Sequence, residues 1–123
     1  APLKISFANI TSDLFKDILI DNHIKNSMFR NYYSIYNNTP MEMLKSELFL
    51  NLGDKNESGY MDEYVTGTNS NAKDVIIYRA EIGDYKIEET DDLYKIDPER
   101  TKTDELVYHW LFHPGERKYY LKR

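Results

Sequence analysis

Near Asp74 the spacing of apolar residues changes period, and no other feature restricts the fold so strongly. Before it, in "ITSDLFKDILIDNHIKNSMFRNYYSIYNN" and "TPMEMLKSELFLNLG", apolar side chains recur three and four apart, as on a helix face. After it, "VIIYRAEIG" and "ELVYHWLFHPGERKYYLKR" alternate, as strands do. Helical segments followed by strands predict an α+β domain. N-terminal helices would pack on one face of a C-terminal antiparallel β-meander ending in a hairpin.

The individual elements follow from local signals. "KISF" predicts a short first strand. In the first helical segment Thr11 or Ser12 would cap, with Asp13 near the positive end of the helix. Leu14, Phe15, Ile18 and Leu19 point one way and Ile24, Met28, Tyr32 and Ile35 another, so a break is expected near Asp21–His23. In the second, Thr39 caps, Pro40 takes the first turn and Glu42 completes a capping box. Met41, Leu44, Leu48 and Leu52 would form its buried stripe, with Gly53 ending it in the left-handed conformation. "TGTNSNAKD" reads as a loop, and "YKIEE" and "LYKI" as short strands around "TDD". Pro114–Gly115 suits the centre of a type II turn, which would bring Tyr119 and Leu121 opposite Trp110 and Tyr108. The layout resembles cystatin-like and NTF2-like folds in shape.

The 123 residues suit a single domain, 1–123. With no cysteine, disulfides, thiolate zinc sites and cysteine nucleophiles are excluded, which fits a cytoplasmic protein. No apolar run approaches the ~20 residues of a membrane helix, and "APLKISFANI" lacks the layout of a signal peptide. A net charge of −5 repels phosphate backbones, which disfavours nucleic acid. The acidic residues crowd between Glu81 and Glu99, while Arg117, Lys118, Lys122 and Arg123 are basic. "NIT", "NNT" and "NES" match glycosylation acceptors. Glycine-rich phosphate loops, G-x-S-x-G, H-E-x-x-H and redox pairs are absent from the sequence.

One loop carries a metal-like pattern. From Asp54, oxygen-bearing Asn56, Ser58 and Asp62 occupy the third, fifth and ninth positions, with Gly59 at the sixth and Met61 at the eighth. This spacing resembles an EF-hand loop, which implies a calcium site at Asp54, Asn56, Ser58 and Asp62. The twelfth position, where a bidentate glutamate belongs, is Val65, and "TGTNSN" does not continue as a helix. An ordinary polar turn, or at most weak calcium binding, is expected.

His109 and His113 would face one metal on a helix, but on a strand they stand ~13 Å apart at ~3.3 Å per residue. A His113–Glu116–Arg117 group, or His109 beside Tyr120, supplies the parts of a small hydrolase or nuclease. His23 has no evident partner. Eleven tyrosines, many beside Arg or Lys as in "RNYYSIY" and "RKYYLKR", suit a protein-contact surface built from Tyr32, Tyr33, Tyr36, Tyr119, Tyr120 and Arg117. The expectation is therefore a non-enzymatic, protein-binding domain without a cofactor. It would serve as an inhibitor or immunity-type factor, or as a small subunit of a larger assembly such as a phage or viral particle. The alternatives are the small hydrolase and the weak calcium module.

Overall fold

A computed structural model describes residues 3–53, 56–85 and 96–123. Eight strands run through them: β1 (Lys4–Ala8), β2 (Asp17–Ile24), β3 (Ser27–Tyr36), β4 (Thr39–Asn51), β5 (Glu57–Val65), β6 (Asp74–Ile82), β7 (Arg100–His113) and β8 (Lys118–Leu121). They form one antiparallel sheet whose spatial order is the chain order. The expected α+β class is thereby overturned: among the described residues there is no helix, and the fold is all-β. None is therefore long and apolar enough to cross a membrane. The predicted short first strand, the β6 strand and the closing hairpin are present. The strands expected around "TDD" fall largely outside the described residues.

Both helical predictions fail for identifiable reasons. β2 buries Asp17, Leu19 and Asp21 and turns Ile18, Ile20 and Ile24 outward, so burial alternates although hydrophobicity does not. β3 likewise buries Tyr32 and Ser34 and places Arg30 on that inner side, opposite Asp21. The break expected near Asp21–His23 is a turn at 25–26, with Lys25 left-handed at φ 56.

In β4 the misleading signal is a pair of irregularities. Register shifts between Met28/Phe29 and Tyr32/Tyr33 make Leu48 and Met43 extra residues against β3. The doublets Met43–Leu44 and Leu48–Phe49 are buried, and they stretch a period of two toward that of a helix. Leu52, assigned to the helical stripe, is 70% exposed. Thr39 does not cap a helix. It pairs with Tyr36 across Asn37–Asn38, whose φ angles of 52° and 60° are those of a two-residue type I′ hairpin.

The turn of the final hairpin is two residues longer than expected. Pro114–Arg117 forms a four-residue turn, with Arg117 at φ 55 and its N–H donating to the His113 carbonyl at 2.7 Å. Tyr119 therefore lies opposite Phe112, and Leu121 opposite Trp110. A slip of two preserves the face, so Tyr119 still points inward.

The sheet coils until β8 packs on β4. Leu19, Tyr32, Leu44, Val75, Ile77 and Phe112 fill the space between its halves, joined by Ile10 from the β1–β2 loop. Met28, Leu48, Phe49 and Ile96 form a second cluster, where Phe49 meets Tyr85 edge-on with ring centroids 5.8 Å apart. Burying each such side chain contributes about 1.5–3 kcal/mol. Among the described residues β1 and β8 are the two edge strands of the sheet.

Candidate functional site

A polar network runs through the coiled sheet. Arg30 donates to both oxygens of Asp21, at 2.7 and 2.9 Å, and to both oxygens of Asp62, at 3.0 and 2.9 Å. The hydroxyls of Tyr32 and Tyr64 each donate to Asp62 Oδ2 at 2.6 Å. Burial would raise the Asp62 pKa, but the Arg30 charge and the two phenolic hydrogen bonds hold it below the usual carboxylate range. Burial also opposes the charge on Arg30, yet its carboxylate partners keep it protonated. Burial first, and then the Asp62 charge, push both tyrosines well above their ordinary value.

This network occupies the residue that the calcium-like pattern needs. Asp62 already accepts from Arg30, Tyr32 and Tyr64, and Asp54 lies outside the described residues. Asn56 donates its backbone N–H to Gly53, and Ser58 stands in β5 opposite Leu50. Gly59 is strand, not bend: it pairs with Ala80, and an added Cβ would lie 3.0 Å from the Ala80 carbonyl oxygen. Among the described residues no group of three or more His, Asp or Glu could hold a metal ion.

The histidines are dispersed. His109 Nε2 lies 2.8 Å from Asp74 Oδ2, and Thr68 donates to the same carboxylate through both its N–H and its hydroxyl. Burial opposes ionisation of Asp74, but the Thr68 and His109 hydrogen bonds lower its pKa. Tyr120 stands opposite Leu111 and does not join this pair. Its ring meets that of His113, its hydroxyl donates to Glu116, and the Glu116 N–H donates to His113 Nδ1 at 3.2 Å. Arg117 turns away from them onto Tyr36. His23 Nε2 lies 2.9 Å from the Ile96 carbonyl oxygen.

The tyrosines assigned to a contact surface divide. Tyr32 and Tyr119 are buried, the latter donating its hydroxyl to the Lys73 carbonyl at 2.7 Å. Burial raises the Tyr119 pKa, as do the nearby charges of Asp17 and Asp74. Tyr33 lies on the outer face opposite Ile18, and Tyr36 and Tyr120 are about half exposed.

Two features that sequence reasoning missed meet at one end of the sheet. The first is apolar. On edge strand β1, Ile5 and Phe7 are 58% and 59% exposed, opposite Ile20 and Ile18 of β2, and Leu3 precedes them at 60%. The β1–β2 loop then holds Leu14 and Phe15 in solvent, at 85% and 74%. This loop is fixed: Asp17 Oδ2 accepts from the N–H groups of Ile10 and Thr11, Asn9 Nδ2 donates to the Phe15 carbonyl, and Lys73 N donates to the Ile10 carbonyl. Alternating "LKISF" with "LF" seven residues on was its only sequence signal.

The second is a cleft of about 780 Å³ where the β1–β2 loop, the Asn37–Asn38 turn and the β7–β8 turn come together. Arg117 enters from the last of these, its guanidinium 4.6 Å from the Tyr36 ring centroid and 5.7 Å from that of Phe112. One N–H reaches Ser34 Oγ at 3.5 Å, and its buried Nε has no partner among the described residues.

Comparison with protein families, with curated proteins and with solved structures finds no match to this chain.

Proposed function

We propose that the chain is a non-enzymatic protein-binding domain and that edge strand β1, with the loop after it, receives the partner. The observation that carries this reading is the exposed row Leu3, Ile5 and Phe7 on an open sheet edge. Sheets ordinarily blunt an edge with charge, proline or a bulge. β1 has a single lysine, Lys4, no proline, and an unbroken register against β2. Its outward N–H and C=O groups would be satisfied by an extended strand of the partner, and alternate apolar side chains of that strand would continue the row. Leu14 and Phe15 add apolar area held in place before binding, which lowers the entropy lost on docking. Five excess negative charges on every copy oppose self-pairing and favour a partner of opposite charge. An inhibitor or immunity-type factor, or a small subunit seated in a larger assembly, would use such an edge.

The test is quantitative capture from the source cell, comparing the chain with an Ile5→Lys/Phe7→Lys variant. A partner lost with the variant, which as a purified protein slows hydrogen exchange at the β1 amides, is the expected outcome. Equal capture by both chains, or unchanged exchange in β1, would overturn the reading.

A further inference from the structure

We propose that the cleft between the β1–β2 loop and the two hairpin turns binds a small, hydroxyl-rich organic anion, a sugar acid or sugar phosphate, with its anionic group on Arg117. This inference shares Phe15 with the docking surface of β1 but does not depend on a partner binding there.

The charge pattern selects an anion. Lys16 and Arg117 line the cleft against one carboxylate, Asp17, so it carries a net positive charge within a chain of net −5. Asp17 does not neutralise Arg117. Its oxygens are taken by Ile10 N, Thr11 N and Thr11 Oγ1, at 3.1, 2.7 and 2.8 Å. Arg117 pairs with no carboxylate among the described residues and leaves a buried Nε without an acceptor. The Nε is enclosed by protein, so a ligand would meet the outer Nη groups, and a carboxylate or phosphate is the group whose geometry matches them. The Tyr36 and Phe112 rings hold the guanidinium in place, so little side-chain freedom remains to be lost when an anion arrives.

The remaining lining selects hydroxyl groups. Thr11 and Ser12 on one side and Asn37 and Asn38 on the other bring neutral donors and acceptors, suited to a polyol. Phe15 and Ile35 supply apolar surface, against which the C–H face of a pyranose can lie. About 780 Å³ is ample for a monosaccharide, since small-molecule sites span roughly 300–1,000 Å³.

The experiment is calorimetric titration of the full chain with glucuronate, glucose 6-phosphate, glucose and inorganic phosphate. At least one of the two sugar anions should bind with a dissociation constant of millimolar order or lower, at least about tenfold tighter than glucose and than phosphate. Glucuronate alone would assign a carboxylate ligand, and glucose 6-phosphate alone a phosphate ligand. Arg117→Asn, which keeps a residue tolerant of positive φ in the turn, should weaken the sugar anion by about tenfold or more while circular dichroism stays unchanged. Phe15→Ala, at an exposed position, should weaken it several-fold without touching any charge. No binding of either sugar anion at about 10 mM, or an Arg117→Asn variant that binds as well, would overturn the proposal. Inorganic phosphate binding as tightly as the sugar anions would overturn its saccharide part.

Discussion

Arg30 grips both carboxylate oxygens of Asp62, 32 residues further along the chain, while holding both oxygens of Asp21 on its other side. The arginine is largely buried and so are its partners, with side-chain exposures of 16%, 4% and 12%. Replacing Arg30 by leucine would leave two buried carboxylates without their cation. The expected cost is about 3–5 kcal/mol, the range for breaking a buried pair from one side. It should appear as a lower urea midpoint with an unchanged slope. A loss under about 1 kcal/mol would mean that water, not Arg30, solvates these carboxylates.

Buried phenols set the response to alkali. Tyr32, Tyr64 and Tyr119 have folded pKa values above the ordinary 10.0, so the fold favours their neutral forms. Their stabilising contribution is complete below pH 10 and is lost as pH rises beyond it. In a tyrosinate absorbance titration, these three of the eleven phenols should ionise only together with loss of the β-sheet circular dichroism signal. Smooth ionisation of all eleven with that signal intact would contradict their burial.

Acid acts with the opposite sign. Asp62 and Asp74 are held below 3.8, so each contributes stability that is present above that pH and disappears as pH falls through the lower folded value. Stability should be level down to about pH 4 and decline below it. Asp62→Asn should be weaker at neutral pH, by on the order of 1–3 kcal/mol, and should decline less steeply in acid. An unchanged acid slope in that variant would assign the decline to other carboxylates.

What the sequence disclosed depended on where polarity sits. β7 packs Tyr108, Trp110 and Phe112 on the core, so its alternation survives in the letters, whereas β6 buries Val75, Ile76 and Ile77 in a row and is legible only as an apolar run. In β2 the inward positions include two aspartates and the outward ones isoleucines, and a reader of hydrophobicity alone sees no alternation. In β4 the bulges opposite Met28/Phe29 and Tyr32/Tyr33 break the period from within. Asn37–Asn38 was a legible turn signal between two apolar runs, but Thr39-Pro40 imitates a helix start and outweighed it. The candidate site was less legible still. Arg117 was recognisable as a functional side chain, but its neighbours in the cleft arrive from positions 11–16 and 35–38, and only the coiling of the sheet brings those segments together.

Gly59 separates the strand from the calcium-loop reading by substitution alone. In an EF-hand-like bend a glycine is needed for its backbone freedom, and asparagine, which tolerates the left-handed region, is the mildest replacement. In β5 the glycine is needed for space, because any Cβ meets the Ala80 carbonyl oxygen and Ile82 Cγ1, both at 3.0 Å. Backbone oxygen cannot retreat without opening the β5–β6 ladder. Gly59→Ala should therefore cost about 1–3 kcal/mol, and Gly59→Asn, being larger, at least as much. Thermal melts of the two variants decide the matter. If asparagine proves the milder change, residue 59 turns a corner, and the pairing of Gly59 with Phe49 and Ala80 is wrong.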